Sequence, residues 1–311
     1  MRKNIIDGVK PFSDFYFKTC YYHQMIAALS CFGIAAENVL MNTIMLVHDD
    51  FVIEDKDFYN DDELMSRLGC KLKKCNVAEK MLVRNIDKGN PVIVGIDCFY
   101  MESRPRTYMK RHDPHYILAY GYDLDSDTAY VVDQDFANDS KYKTKTMSLK
   151  ALLYMSEQMR IGKLRRRHTS RIVIRNVRAQ SERISVYDHI PSAQIKNSGA
   201  AAKRNLIELR RLLVSDTEAL LNKISLINVY IYFLKRYYCT LTQSDMFKNK
   251  SNAERLARLI SEYGFLQAAM WKISAKHENL PDGQKDKLSE RIAEIMTLEE
   301  TVYARIAEEC K

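Results

Sequence analysis

Three residues whose types could form a nucleophilic site stand far apart in the chain: Cys20, His115 and Asp133. Cysteine attacks as a thiolate, so it needs a base to take its proton and a third group to hold that base. Cys20 follows Thr19 at the start of a stretch that reads as a helix. With Thr19 as N-cap, the thiol falls on the first turn. Unpaired N–H groups and the helix dipole favour a thiolate there, and those N–H groups face the place where an oxyanion would form. His115 opens the apolar run His115-Tyr-Ile-Leu-Ala-Tyr-Gly-Tyr122, and Asp133 closes Thr128-Ala-Tyr-Val-Val-Asp133. Asp123-Leu-Asp-Ser-Asp127 between them is rich in turn residues, so the two runs predict an antiparallel hairpin. Residue 115 and a residue near 133 then lie at the same end, where a carboxylate reaches the imidazole and fixes its tautomer. Asp135 is the near rival for that role.

Each residue has a plain reading as well: Cys20 as a small buried hydrophobe, His115 as a ring satisfied by backbone, Asp133 as a turn residue. Together they follow the order that a thiolate–imidazolium pair with an orienting acid requires. His23 lies one turn after Cys20, and a base from the same helix rarely aligns with the thiol, so it reads as core or rim. His112, Asp113 and His115 lack the ligand spacing that would complete a metal site, as do Cys70 and Cys75. No metal is expected. Tyr230, Tyr232, Tyr237 and Tyr238 read as core packing rather than a ligand box.

The elements that must position these groups are legible in outline. Residues 20–46 read as helix, with Gly33 ending a first segment. Residues 76–88 read as a helix ending at Gly89-Asn90. Pro91-Val-Ile-Val-Gly-Ile-Asp97 reads as a buried strand, 147–158 as a helix and Arg171-Ile-Val-Ile-Arg175 as a half-exposed strand. Ile190–Gly199 reads as a polar bridge. Beyond it helices are predicted near 200–214, 216–240, 251–278 and 284–309, with N-caps at Ser215 or Asp216 and at Ser251 or Asn252. The fold class is therefore α+β: a catalytic domain over residues 1–185 with an antiparallel sheet, then an all-α bundle over residues 186–311.

The chain has 311 residues, 46% hydrophobic and 28% charged, which excludes a wholly disordered or collagen-like protein. No apolar run is long enough to span a membrane, the start carries no secretory pattern, and seven cysteines read as reduced thiols. A cytoplasmic protein with no membrane partner is expected. Lys and Arg exceed Asp and Glu by 8. Residues 141–178 hold twelve basic residues and one acid, and residues 49–63 hold eight acids and one Lys. The bland reading is solvated surface with the two blocks paired; the sharper one is a face for an acidic protein partner. No zinc-finger spacing, phosphate loop or aromatic–basic repeat points to nucleic acid.

A resemblance adds to this. Residues 20–33, Cys-Tyr-Tyr-His-Gln-Met-Ile-Ala-Ala-Leu-Ser-Cys-Phe-Gly, look like the opening helix of the papain-like fold, in the C39-peptidase-like form. The segments Pro91–Tyr100, Arg104-Pro-Arg106, His115–Asp123 and Tyr130–Asp133 are similar to the N-terminal domain of the butirosin-biosynthesis H-protein family. The likeness covers residues 15–176. It implies an acyltransferase in which a Cys takes an acyl group from a carrier-protein phosphopantetheine thioester and passes it to an amine of a small metabolite. Carried over, Cys20 is the nucleophile, His115 the base and then acid, and Asp133 the orienter. Many papain-like enzymes place a Gln six positions before the Cys; here that position is Asp14, and Gln24 follows the Cys, so the second oxyanion donor is open. Asp97, Tyr100, Arg104 and Arg106 would line the acyl or pantetheine channel, or form a structural loop. An acidic acyl carrier protein would dock on the basic block, with Arg165, Arg166 and Arg167 at its centre. No bound cofactor is implied, since phosphopantetheine rides on the donor. The helical region would be a lid, an acceptor pocket or a homodimer surface. The alternatives are a cysteine hydrolase using the same triad and a non-catalytic carrier-binding module.

Overall fold

The computed structural model describes residues 2–13, 18–135, 141–167, 170–175, 190–242, 245–276 and 281–310, the side chains of 167, 245 and 276 apart. In chain order the described strands are β1 (Lys3–Ile5), β2 (Thr43–Val47), β3 (Ile53–Asp57), β4 (Cys70–Lys74), β5 (Val92–Asp97), β6 (Pro114–Asp123), β7 (Thr128–Gln134), β8 (Tyr142–Ser148) and β9 (Arg171–Arg175). The helices are α1 (Cys20–Ser30), α2 (Glu37–Leu40), α3 (Asp61–Arg67), α4 (Glu79–Ile86), α5 (Leu149–Ile161), α6 (Ser192–Ser215), α7 (Thr217–Leu241), α8 (Lys250–Lys276) and α9 (Asp282–Glu309). They fall into two compact units. One takes Met1–Val39 and Tyr59–Ile184, the other Leu40–Phe58 and Ser185–Lys311.

The first unit is built on an antiparallel sheet with strand order β4-β9-β5-β6-β7-β8, and β1 also pairs with β6. Its central strand β5 is buried at every position, as its unbroken apolar run requires of a strand covered on both faces. Val92, Val94 and Ile96 pack with Ile117 of β6 and with Leu82 of α4 and Leu152 of α5. Each such side chain contributes about 1.5–3 kcal/mol through removal from water. Helix α1 packs separately on β6 and β5. Helix α5 begins where Ser148 accepts from the Ala151 N–H at 3.1 Å. The strand pair β6–β7 shifts register between Ala119 and Gly121. A Cβ on Gly121 would sit 3.0 Å from the Asn4 carbonyl oxygen and 3.1 Å from Tyr130 Cβ, so the crowding between β1 and β7 accounts for glycine in the Tyr-Gly-Tyr run.

The second unit consists of helices α6 to α9 joined by the β2–β3 hairpin. This corrects one expectation. Residues 20–46 are not helical throughout: Thr43-Ile-Met-Leu-Val47 is a strand with all five residues buried, a β-branched apolar run without helical alternation. From Ser192 onward every described element is helical, as expected of the bundle. The hairpin packs on α6. Ser198 Oγ accepts from the Val47 N–H at 2.7 Å, and Asn205 accepts from the Phe51 N–H at 3.2 Å while donating to the His48 carbonyl at 2.8 Å. The expected bridge at 190–199 is likewise helix from Ser192, with Ser198 buried in this contact and Gly199 at the crossing of α6 with α9. Asp216 caps α7 as predicted, but α8 is capped by Asn249, whose side chain accepts from the Asn252 N–H at 2.9 Å.

Tyr230, Tyr237 and Tyr238 are core residues of this unit, in keeping with their packing role. At its centre lies a buried carboxyl, Glu299 of α9. It accepts from the Tyr263 hydroxyl at 2.6 Å and from the Tyr238 hydroxyl.

Candidate active site

His115 and Asp133 come from the β6–β7 hairpin. The register pairs Leu118 with Val132, which continued outward sets residue 117 against 133 and residue 115 against 135. Residues two apart on a strand share a face, so His115 and Asp133 meet on the diagonal of one face. The Nε2 of His115 lies 2.7 Å from Asp133 Oδ1, and both residues are buried. Asp135 is engaged elsewhere, with Lys143 Nζ donating to its Oδ2 at 3.3 Å. Of the two carboxylates, Asp133 is the one that meets the imidazole.

Cys20 is the first residue of α1, with Thr19 as N-cap in an extended conformation. The Thr19 hydroxyl makes no capping hydrogen bond. The helix is fixed against the base-bearing strand by Gln24, fully buried, whose Nε2 donates to the Tyr116 carbonyl at 3.1 Å. Tyr21 adds an edge contact to the Tyr116 ring, 5.3 Å between centroids. One turn of helix thus ties the residue after His115 to the residues after Cys20, and the thiol meets the imidazole. With Nε2 directed to Asp133, Nδ1 is the ring nitrogen left for the sulfur.

The electrostatics follow from these contacts. Burial pushes the Cys20 thiol up, but the hydrogen bond and charge of His115, a Tyr116 backbone N–H and the Arg104 charge more than offset it, and the thiol lies below its ordinary value. Burial lowers the basicity of His115, while its bonds to Asp133 and Cys20 raise it further than burial lowers it. Asp133 is held below the usual carboxylate range, because His115 and Arg104 outweigh its desolvation. All three shifts act in one sense, toward thiolate, imidazolium and carboxylate. The other thiols with a clear displacement move the opposite way. Burial pushes Cys75 up to about 11, and Cys31 and Cys98 up to about 12.

Arg104, expected to line the channel or a structural loop, is brought into this cluster. Its Nη2 donates to Asp133 Oδ1 at 3.2 Å and also lies against His115 Nε2. Both nitrogens approach the same carboxylate oxygen, so two donors share one acceptor. The loop between β5 and β6 delivers it. Asp97, expected as a channel residue, is buried, and its carboxylate is taken up inside that loop. It accepts from the N–H groups of Phe99 at 3.0 Å and Asp113 at 3.3 Å, and contacts His112 Nδ1 at 2.6 Å. The reason is local: an Asp at a strand end bonds the N–H groups of the turn that follows. The His112 ring stacks on Phe99 at 4.3 Å, which ties it into the same loop. Tyr100 is half-buried, with an edge contact to Tyr154 at 5.4 Å, and Arg106 is exposed.

His23 stacks on Tyr142 at 4.6 Å, with its Nδ1 3.3 Å from the Thr19 carbonyl, so it is a packing residue of the site's wall. Tyr142 itself was not anticipated. It starts β8 and is buried, and its hydroxyl is kept protonated by burial and by the neighbouring charges of Cys20 and Asp133. The alternation in Tyr142-Lys-Thr-Lys-Thr is the strand signal that points to it, masked by reading the segment for charge alone. Asp14, the position six before the nucleophile, lies outside the described residues.

Arg165 and Arg166 are exposed on a short 3-10 turn, Arg165–Arg167; the Arg167 side chain lies outside the described residues. The acidic block does not simply pair with the basic one. Asp61 pairs with Arg171 at 3.2 Å within the first unit, whereas Asp49 pairs with Arg204 at 2.7 Å within the second. Among the described residues no helix is long and apolar enough to cross a membrane.

Residues 51–134 match the family described as Butirosin biosynthesis protein H, N-terminal, the same family whose likeness the sequence carries. The matched stretch contains Arg104, His115 and Asp133 and ends one residue after the carboxylate; Cys20 lies before it. The description of that family supports a role in biosynthesis. The curated proteins contain no match to this chain.

Proposed function

We propose that the protein is a cysteine acyltransferase that moves an acyl group from a pantetheine thioester, through an acyl-Cys20 intermediate, to an amine of a small metabolite. The observation that carries this reading is the line of half-buried Cys20 with buried His115 and Asp133, in which a thiol is held below its ordinary value. The match to the butirosin-biosynthesis H family supports the choice of acyl transfer among the reactions such a line can run.

In the first half-reaction the Cys20 thiolate attacks the thioester carbonyl carbon. The carbon–sulfur bond to pantetheine breaks, and His115 gives its proton to the departing thiolate. In the second half-reaction the amine attacks the acyl-Cys20 carbonyl, His115 takes the amine proton, and Cys20 leaves as thiolate. A thioester is already activated, so the first step needs modest assistance. Preference for amine over water requires a site that positions the amine. The Thr19 hydroxyl makes no capping bond and the Tyr22 N–H donates to the Thr19 carbonyl at 3.1 Å, so the oxyanion donors in this reading are the Cys20 and Tyr21 N–H groups at the start of α1. Arg165 and Arg166 offer an acidic carrier protein an exposed basic edge. Reversing their charge should slow transfer from a carrier-bound donor and leave a free pantetheine donor unaffected.

The test is intact mass after mixing with acyl-pantetheine thioesters. One acyl adduct on the wild-type chain, absent in Cys20→Ala and cleared faster by added amine than by water, supports the reading. An adduct that only water clears makes the protein a hydrolase. No adduct at all refutes the acyl-enzyme.

A further inference from the structure

We propose that Arg104 is a positioning residue of the nucleophile: its fixed positive charge closes the charge balance of the buried cluster and so lets Cys20 stand as thiolate beside a protonated His115. The inference rests on the acyl-enzyme reading above, because it concerns the same sulfur.

The argument is one of charge in a place where charge is costly. Asp133 and His115 are buried, and the Arg104 side chain is only 11% exposed. With Cys20 and Asp133 negative and His115 positive, the cluster without Arg104 carries one uncompensated negative charge. With Arg104 the four groups sum to zero; its charge acts against the imidazolium, which the bonds to Asp133 and Cys20 hold, and in favour of the thiolate. Desolvated charges persist when they are paired, and an unpaired one is relieved by taking up a proton. The group that would take it is the thiolate, since Asp133 retains the imidazolium directly. Tyr142 on β8 and Cys98 after β5, which also neighbour the sulfur, are neutral, both pushed up by burial.

The loop is constructed to deliver this charge. Its two ends are pinned by Asp97, and Cys98 N–H donates to the Asp113 carbonyl at 3.0 Å. Met109 N–H donates to the Phe99 carbonyl at 2.8 Å. Around Arg104 itself, its N–H donates to the Met101 carbonyl at 3.0 Å, and its carbonyl accepts from the N–H groups of Thr107 and Tyr108 at 2.9 and 2.8 Å. A side chain held at that backbone point reaches Asp133 Oδ1. A residue meant only to greet substrate would not need to share the oxygen that orients the base.

The experiment is the pH profile of iodoacetamide alkylation at Cys20, located by mass mapping, in the full chain and in Arg104→Met and Arg104→Lys. It reads the thiolate directly and needs no substrate. Arg104→Met should lower the alkylation rate at about pH 6 by at least about tenfold, the acid limb moving upward by a pH unit or more. Arg104→Lys keeps the charge and should stay within about threefold of wild type. The inference is overturned if the Arg104→Met profile superimposes on wild type, or if Lys loses as much as Met, since shape rather than charge would then be responsible. Should Arg104→Met fail to fold, the Lys variant decides alone: retention supports the inference and tenfold loss overturns it. A wild-type Cys20 no more reactive at about pH 6 than the other thiols would instead sink the acyl-enzyme reading itself.

Discussion

The buried carboxyl of the helical unit gives a stability effect whose size follows from its setting. Glu299 is enclosed by α7, α8 and α9, accepts from Tyr238 and Tyr263 through Oε1, and has no hydrogen-bond partner at Oε2. Burial pushes its carboxyl from an ordinary value of 4.5 up to about 7, against the two tyrosine hydrogen bonds that favour the charged form. Between those values the folded state keeps a proton that the unfolded chain has released. Stability contributed by this group is therefore full below the lower value, falls as pH rises through the interval, and is lost above about 7. The whole interval corresponds to roughly 3 kcal/mol. Glu299→Gln keeps a carbonyl oxygen for both tyrosines and cannot ionise. Urea unfolding followed by helix circular dichroism should find it near wild type at about pH 5 and more stable by up to roughly 3 kcal/mol at about pH 8. Parallel stability–pH curves for the two proteins, or a variant weaker than wild type at about pH 8, would refute the reasoning.

Further outcomes follow from the first unit and from the helix crossing. Asp133→Asn removes the anion that holds His115, and the rate of acyl-Cys20 formation should fall about 10²- to 10⁴-fold in a stopped-flow acylation assay. Gln24→Leu strips a donor from the buried Tyr116 carbonyl; a cost of about 1–3 kcal/mol in urea unfolding is expected, with slower alkylation of Cys20 at low pH. Asp97→Ala releases the loop that carries Arg104, so its alkylation profile should move in the same direction as that of Arg104→Met. Gly199→Ala would set a Cβ 2.9 Å from Tyr303 Cβ, and the α6–α9 crossing should lose about 1–3 kcal/mol, seen as a lower melting temperature.

Much of the first unit was legible because its signals are local. The Val-Ile-Val run of β5, the Asp-rich turn between β6 and β7, and the stop at Gly33, whose φ is 74°, each carry their structure in a few residues. The meeting of His115 with Asp133 was legible from strand geometry, although the register puts Asp133 on the diagonal and not directly opposite His115. What stayed hidden depends on distant partners. Thr43–Val47 looks like the continuation of a helix until α6 supplies a surface for a strand. Arg104 looks like a loop cation, because nothing in its neighbours announces that Asp133, twenty-nine positions on, is its acceptor. Gln24 looks like one more polar residue on a helix until its amide finds the Tyr116 carbonyl.

The β2–β3 hairpin also has a practical meaning for anyone dissecting the protein. Its strand Thr43–Val47 is clothed by α6, with Ser198 and Asn205 holding its backbone, yet the chain on either side of it, Met1–Val39 and Tyr59–Ile184, folds into the other unit. Cutting after residue 185 therefore does not liberate a self-sufficient enzyme. It strips five buried residues, four of them apolar, of their cover and offers them to solvent and to each other's edges, an invitation to aggregate. Excising 40–58 together with the helices, and rejoining Val39 to Tyr59 by a short polar bridge, is the surgery that respects how the chain is shared.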